Sequence, residues 1–241
     1  MEKFARVKSL LGQEKLDKLK NSSVAIFGVG GVGGYTAEAL IRSGVGSITV
    51  FDNDTVALSN INRQIISSVN VVGKDKVEVM KERLLSINPD ANVKAMKAFY
   101  LPENADNYPL EEFDYIVDAI DTVSAKIELI KRAKEIGVPI ISCMGTGGKL
   151  DISALKVADI EKTKGCPLAR VMRRELKNRN IKGVKVVYSE EQCTLLSEEV
   201  GDAQIKGNGR VAPASMIFVP ATAGLMLAKE VVIDLTKGEK V

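Results

Sequence analysis

VAIFGVGGVGG, at residues 24–34, is the stretch from which the fold can be inferred. Its first four residues form a continuous apolar run with the length of a buried strand. The glycines that follow allow a tight turn and let backbone N–H groups approach a phosphate at the start of a helix. The stretch therefore predicts a strand, a phosphate-binding turn and a helix, in that order.

Strands and helices alternate on both sides of this stretch. An amphipathic helix is predicted over 2–20, before the first strand. After it, strands are predicted at 47–51, 93–98, 113–119 and 138–143, and helices at 31–43, 74–87 and 124–136. Such alternation predicts an α/β fold with a Rossmann-like, doubly wound, mostly parallel sheet that carries helices on both faces.

The pattern changes after residue 148. Residues 1–148 form a predicted nucleotide-binding part, and 149–241 a C-terminal elaboration on the substrate side. In the elaboration, strands are predicted at 149–157, 184–188 and 215–219, helices at 167–178 and 220–236, and a polar loop at 189–210. No Pro-, Gly- or Ser-rich linker cuts the chain, so we expect one domain over 1–241.

The composition excludes several classes of function. The 241 residues include no histidine, which excludes Ser-His-Asp triads, Cys-His pairs and His-ligated metals. The three cysteines are too far apart for a C-x-x-C zinc pair, so no zinc is expected. The N-terminus has no apolar leader, and the longest uncharged run, 211–228, is shorter than the roughly 20 apolar residues of a membrane span. We expect a cytoplasmic protein with no membrane insertion.

An acid stands where a ribose would be bound. Asp52 ends the strand predicted after the glycine turn, 24 residues beyond Gly28. The glycines expected to lie against the phosphates are Gly28, Gly30, Gly31 and Gly33. The glycine turn and Asp52 predict a nucleotide site, but they suit ATP and a nicotinamide cofactor equally.

Cationic and polar residues follow Asp52 closely. A site that breaks a triphosphate needs cations, because negative charge builds on the departing oxygens, whereas hydride transfer does not need them. Arg63 can donate two hydrogen bonds to phosphate oxygens, and Lys76 can act as a point charge. Asp121 follows the strand that contains Asp118, at the edge of the sheet where ligands bind, and its carboxylate suits Mg²⁺. Each alone could be a surface charge or a helix cap; together they favour ATP.

With these residues noted, the chain resembles the ubiquitin-activating-like adenylating superfamily of ThiF, MoeB and HesA. The motifs that carry the resemblance are FDNDTV at 51–56, SNINRQ at 59–64 and GKDK at 73–76. The further order of INP at 87–89, DAID at 118–121 and VYSE at 187–190 resembles, more narrowly, the tRNA threonylcarbamoyladenosine dehydratase branch. The resemblance runs from about residue 4 to 229, nearly the whole chain.

The resemblance implies a role for each motif residue. Asp52 would bind the ATP ribose and Asp121 the magnesium, while phosphates would lie against Asn60, Arg63 and Lys76. The implied nucleotide contacts also include Asp54 and Gln64, and the implied catalytic set is Arg6, Arg63, Lys76 and Asp121. Arg6 matches an arginine that reaches the triphosphate of the neighbouring subunit, which implies a homodimer.

The implied activity is that of an ATP-dependent ligase that acts on tRNA. ATP would adenylate the threonyl carboxylate of N6-threonylcarbamoyladenosine, and loss of AMP would close a cyclic form of the base. Carboxylates are already ionised near neutral pH, so the reaction needs positioning and charge neutralisation rather than imidazole.

A basic helix is the predicted tRNA contact. Residues 162–185 contain nine Lys or Arg and one acid, Glu175. On the predicted helix, the basic residues away from the apolar stripe are Arg170, Arg173, Arg174 and Lys177. A solvated helix face would show a similar pattern, but beside an adenylating site we expect these residues to bind tRNA.

The cysteines divide into core and candidate reactive residues. Cys143 ends a predicted buried strand and is expected in the core. Cys166 stands at a helix N-terminus near lysines, and Cys193 stands in the polar loop. Some members of the wider superfamily form a thioester on a loop cysteine, so either residue is a candidate for that chemistry.

Three alternatives stay open on the sequence alone. The first is an enzyme that adenylates the C-terminal carboxylate of a ubiquitin-like sulfur carrier. Such an enzyme would use the same nucleotide-binding residues, and a sulfur-relay or carrier protein would then be a candidate partner. Its usual zinc pairs are missing here. The second is an NAD-binding oxidoreductase, which leaves Arg63, Lys76 and Asp121 unexplained. The third is an RNA-binding module with a degenerate nucleotide pocket, which the complete set of phosphate residues disfavours.

Overall fold

The computed structural model describes residues 3–193 and 214–237. Seven strands form one sheet in the order β3-β2-β1-β4-β5-β7-β6, in which only β6 runs antiparallel to its neighbour. The strands are β1 (Ser23–Phe27), β2 (Ser47–Asp52), β3 (Asn92–Lys97), β4 (Tyr115–Asp118), β5 (Ile140–Cys143), β6 (Leu155–Asp159) and β7 (Lys185–Ser189). The predicted doubly wound, mostly parallel α/β sheet is confirmed.

Helices cover both faces of the sheet. They are α1 (Ala5–Leu11), α2 (Gln13–Asn21), α3 (Gly33–Arg42), α4 (Lys76–Ile87), α5 (Val123–Ile136), α6 (Pro167–Asn178) and α7 (Phe218–Thr236). Val24 and Ile26 of β1 belong to the core shared with α3, α4 and α7, whereas Ala25 and Phe27 belong to the core shared with α5 and α6. Because side chains alternate along a strand, a strand buried on both faces is apolar throughout, as 24–27 is.

The topology brings the predicted nucleotide-binding residues to one edge of the sheet, where the carboxyl ends of the strands lie. β1, β2 and β4 are mutually parallel, so their carboxyl ends lie side by side. The strand order reverses between β1 and β4, because the chain runs from β1 to β2 and β3 on one side and then returns to β4 on the other side of β1. Ligands of open α/β sheets bind at such a point.

Three predicted elements differ from the structure. The helix predicted over 2–20 is two helices, because Gly12 between them has φ +86°, outside the helical region. The strand predicted at 215–219 is wrong, since α7 already begins at Phe218. The strand predicted at 149–157 begins only at Leu155, after a short 3₁₀ turn. Residues 194–210 of the predicted loop lie outside the described residues.

No helix in the described part of the chain is both long and apolar enough to cross a bilayer.

Candidate functional site

The glycine turn is shaped by two close backbone approaches. Gly28 has φ +94°, and a Cβ there would lie 2.6 Å from the carbonyl oxygen of Ala119. At Gly33, the first residue of α3, a Cβ would lie 1.8 Å from the carbonyl oxygen of Gly28. A side chain at either position would force the turn apart. The first turn of α3 therefore presents its backbone N–H groups at the carboxyl edge of β1.

Two other glycines of the turn, Gly30 and Gly31, are not required by close backbone contacts. Among the described residues, the atom nearest to a Cβ at Gly30 is the Gln64 amide nitrogen, at 3.9 Å, while a Cβ at Gly31 would meet Pro220 Cβ at 3.4 Å and Arg63 Cγ at 3.5 Å. These are ordinary contacts, so the protein itself does not require glycine at either position. The lack of a side chain at Gly30 lets a ligand approach the backbone there.

Asp52 is fixed beside this turn. One of its carboxylate oxygens accepts a hydrogen bond from the Val29 N–H at 2.7 Å, and the other accepts from the Asp54 N–H at 2.9 Å. Each oxygen keeps a second lone pair. The carboxylate can therefore accept further hydrogen bonds from hydroxyl groups of a ligand at the turn.

Lys76 begins α4 and is held against the segment that follows β2. Its ammonium lies 2.7 Å from a carboxylate oxygen of Asp54, and its backbone N–H donates to the Asp54 carbonyl at 3.1 Å. The Lys76 side chain is only 6% exposed, whereas that of Asp54 is 59% exposed. Little entropy is lost when such a restrained cation meets a phosphate.

Asn60, Arg63 and Gln64 lie on the turns between β2 and α4. Asn60 is buried, and its side-chain oxygen accepts from the Ala57 N–H at 3.0 Å. The Arg63 guanidinium donates to the Ser59 carbonyl at 2.8 Å, and burial lowers its pKa. Gln64 approaches a Cβ placed at Gly30 and Arg63 approaches one placed at Gly31, so these two side chains border the glycine turn.

Asp121 lies three residues past the end of β4 and is exposed. Because β4 pairs with β1, this position is adjacent to the glycine turn along the edge of the sheet. Within 3–193 and 214–237, no group of three or more Cys, Asp or Glu side chains is arranged to hold a metal ion. Mg²⁺ in nucleotide sites is commonly held by one or two carboxylates together with phosphate oxygens and water, so a single exposed carboxylate fits that ion.

A buried ionic network that the sequence motifs do not reveal lies beneath this edge. Asp118 and Lys126 are both fully buried and lie 2.9 Å apart, and the Ser142 hydroxyl donates to Asp118 at 2.5 Å. The Lys126 ammonium also donates to the carbonyls of Ile120 at 3.1 Å and Cys143 at 2.9 Å. The network therefore ties the end of β4, the loop that carries Asp121, and the end of β5 together.

Arg6 lies at the other edge of the sheet. It is exposed on α1, and the neighbouring Phe4 ring approaches Gly44, which precedes β2. Lys3, just before α1, bonds to Asn88 and Asp90, which precede β3. These contacts lie at the amino ends of the strands, so the fold does not bring Arg6 to the glycine turn of its own chain.

The comparisons with known proteins agree with this geometry. The model of the ThiF family matches residues 4–240. The chain belongs to the ThiF family. The family resemblance predicted from the motifs is confirmed.

One curated relative and the E. coli structures match this ThiF-family chain over nearly its full length. It is 42% identical over 243 residues to the tRNA threonylcarbamoyladenosine dehydratase of Bacillus subtilis (strain 168), covering 98% of this chain and 96% of that protein. Crystal structures of E. coli tRNA N6-threonylcarbamoyladenosine dehydratase in complex with AMP and with ATP superpose with TM-scores of 0.87 and 0.85, respectively. Each is 32% identical, covering 97% of this chain and 93% of the E. coli chain.

The basic helix of this ThiF-family chain is α6, as predicted for 167–178. Arg170, Arg174 and Lys177 are exposed along it. Arg173 is half-buried, and its guanidinium donates to the Thr163 carbonyl at 2.6 Å. Arg173 is therefore held by the protein itself and is the least available of the four to a ligand.

The cysteines of this ThiF-family chain differ in exposure. Cys143 is in the core as predicted, and burial raises its pKa to about 12. Cys166 is also buried, with its sulfur 3.6 Å from a Cβ placed at Gly145. Cys193 is exposed, and its sulfur lies 3.5 Å from the Gly147 carbonyl oxygen. A thiol must be reached by its substrate, so exposure favours Cys193 over Cys166 as the reactive candidate.

Proposed function

We propose that this chain is an ATP-dependent enzyme that dehydrates N6-threonylcarbamoyladenosine in tRNA by adenylating its threonyl carboxylate. The observation that carries the proposal is the meeting of the glycine turn, Asp52, Lys76 and Asp121 at one edge of the sheet, in a chain whose full-length relatives bear that enzyme name. We further propose that residues 1–241 act as one domain and that the enzyme works in the cytoplasm.

ATP would lie along the carboxyl edge with its ribose at Asp52 and its phosphates over the glycine turn. Gly28 and Gly33 hold the turn closed and Gly30 leaves room for the phosphates, which Gly31 would contact through its backbone. The cations for the phosphates are Arg63 and Lys76, and Asn60, Asp54 and Gln64 are the further proposed nucleotide contacts; Asp54 also holds Lys76.

Asp121 would hold Mg²⁺ together with phosphate oxygens. A bound Mg²⁺ supplies positive charge that neutralises the leaving pyrophosphate. The Lys126 network holds the loop of Asp121, and it thereby fixes where that carboxylate stands.

The residues present suffice for the chemistry. The threonyl carboxylate attacks the α-phosphate, pyrophosphate leaves, and an acyl adenylate forms. A nucleophilic group of the same modified base then displaces AMP and gives up its proton to water. AMP carries away one carboxylate oxygen, so the base, counted from its acid form, has lost one water overall. Alignment and neutralisation of phosphate charge promote both steps, and neither needs imidazole.

One assay tests this function against the alternatives. The protein is incubated with ATP, Mg²⁺ and tRNA that does or does not contain the modified base, and AMP release and nucleoside mass are measured. We expect AMP release and loss of one water only with the modified tRNA. AMP release only with a small carrier protein would instead favour the carrier-activating enzyme. No ATP turnover would favour the NAD-dependent or RNA-binding alternative.

We infer that the active form is a homodimer in which Arg6 acts on the partner's nucleotide. The support is its place at the amino edge of the sheet, away from the glycine turn of its own chain. A cation delivered by a second copy would complete each site. The homodimer does not need a sulfur-relay or carrier protein. Such a protein is a separate proposed partner.

Mixing two inactive variants tests this inference. We expect Arg6→Ala and Lys76→Met each to be nearly inactive alone, and a re-assembled equal mixture to recover about one quarter of wild-type activity. Half of the random dimers are mixed, and each of these holds one site with both cations. AMP release after subunit exchange measures the recovery. No recovery would mean that Arg6 does not act across a dimer.

We propose that the exposed face of α6 binds the tRNA backbone. Arg170 and Lys177 are exposed and form no ion pair with any described residue, while Arg174 pairs with Glu175 at 3.0 Å. Phosphate contacts release counterions, so their number sets the salt dependence of binding.

Charge reversal tests this face. We expect Arg170→Glu with Lys177→Glu to weaken tRNA binding, and to reduce the slope of log affinity against log salt concentration by about one per lost phosphate contact. Filter binding over a salt series measures both quantities. The control is Lys15→Glu with Lys94→Glu, exposed lysines on α2 and β3, which makes the same change in net charge. Equal losses in the two variants would contradict a specific tRNA face.

A further inference from the structure

Lys149 is a buried cation that the nucleotide site does not use. Three lysines of the described residues are buried: Lys76, Lys126 and Lys149. Lys76 pairs with Asp54 and Lys126 with Asp118, but no carboxylate of the described residues pairs with Lys149, which is 3% exposed. An ammonium taken out of water without a counter-ion costs several kcal/mol, so its retention calls for a partner.

The acids that follow Lys149 and Ser189 in the chain are engaged elsewhere. Asp151 accepts hydrogen bonds from the backbone N–H and the hydroxyl of Ser153, at 2.8 and 2.6 Å. Glu190 forms ion pairs with Lys156 and Lys164. Glu191 accepts hydrogen bonds from the N–H groups of Leu150 and Asp151, at 2.9–3.1 Å. Among the described residues, the partner of the Lys149 ammonium is the Ser189 carbonyl, at 3.1 Å. An ammonium has three donors, so within 3–193 and 214–237 two of them are left for an anion.

Lys149 stands on the half of the edge that the nucleotide leaves open. The glycine turn, Asp52 and Asp121 follow β1, β2 and β4. Ser189 ends β7, which pairs in parallel with β5 on the other side of β4. The Lys149 ammonium also acts to lower the pKa of the Cys143 thiol, as expected for a charge near the end of β5. A second substrate that meets the α-phosphate must approach from this half.

We propose that Lys149 binds the carboxylate of the threonylcarbamoyl group and presents it to the α-phosphate of ATP. This inference rests on the proposed function and identifies the residue that recognises the modification. A buried single ammonium suits a small planar anion on a flexible arm better than a bulky backbone phosphate, which stays near the surface. The glycines at 145, 147 and 148, just before Lys149, have no side chains that would occupy this part of the edge.

The test compares one tRNA with and without the modification, in the absence of ATP so that no turnover occurs. We expect wild type to bind the modified tRNA more tightly, and Lys149→Met to lose about tenfold of that preference, because a charge-assisted hydrogen bond disappears. Affinity for unmodified tRNA and for ATP should stay unchanged. Lys149→Arg, which keeps the charge, should retain part of the preference.

Two controls separate recognition from structure. Lys156→Met removes an exposed lysine of β6 and should leave the preference intact. Thermal unfolding of each variant reports any loss of stability. An unchanged preference in Lys149→Met, or an equal loss for both tRNAs, would overturn the inference. If wild type dehydrates the modified base while Lys149→Met keeps its preference, the proposed function stands and only the role of Lys149 fails.

Discussion

Replacing Lys76 with methionine should lower the rate of AMP formation by about 10²- to 10³-fold, the usual cost of removing one preorganised group that stabilises transition-state charge. Methionine keeps most of the length of the side chain and removes only the ammonium. The lost partner, Asp54, is 59% exposed and can be hydrated, so the free energy of unfolding should change little. Single-turnover kinetics with saturating ATP and modified tRNA would measure the loss in the chemical step.

Lys97 provides the matched control. It ends β3, pairs with Asp75 at 2.8 Å, and is 56% exposed, so it is a lysine–aspartate pair directly beside the site. Lys97→Met should leave the rate within about twofold, since exposed ion pairs contribute little. Equal losses in the two variants would mean that general charge near the edge, rather than Lys76 itself, supports the reaction.

Much of the fold could be predicted because local pattern and global topology agree. The apolar run at 24–27, the glycines after it, and the regular alternation of later strands and helices fix a parallel sheet. The place of Asp52 and Asp121 at a common edge follows from that topology alone. Helix α6 was predicted with its observed bounds, because Pro167 marks a first turn and its apolar stripe has helical spacing.

The errors come from short apolar segments and single glycines. Residues 215–219 are too few for their periodicity to distinguish a strand from the start of a helix. Met216, Ile217 and Phe218 are in fact partly exposed at the beginning of α7, unlike residues of a buried strand. Gly12 looks tolerable inside a helical pattern, yet it adopts a positive φ and separates α1 from α2.

Lys126 and Lys149 escaped prediction because charged residues are normally assigned to the surface. Lys126 nevertheless carries a signal, since it shares a helical face with Leu129, Ile130 and Ala133, all of which are buried. A lysine within an apolar stripe is expected to be buried and therefore to pair with a buried acid, and Lys126 pairs with the buried Asp118. Lys149 has no such periodic context, so its burial could only be seen in the structure.

Lys126 should therefore be among the most costly side chains to replace. We expect Lys126→Met to lower the free energy of unfolding by about 3–5 kcal/mol, because it leaves Asp118 charged and buried without a partner. The carbonyls of Ile120 and Cys143 lose a donor in the same step. Urea unfolding followed by circular dichroism would measure the change.

A second substitution shows whether the buried charge is the cause. Lys126→Met combined with Asp118→Asn should be less destabilised than the sum of the single variants, because the uncompensated carboxylate is gone while the Ser142 hydroxyl can still donate to the amide oxygen. Lys131→Met on the same helix, where the side chain is 44% exposed, should lie within about 0.5 kcal/mol of wild type. If Lys126→Met were as mild as Lys131→Met, the network would not be what fixes the loop of Asp121. Strict additivity of Lys126→Met and Asp118→Asn would instead assign the loss to packing.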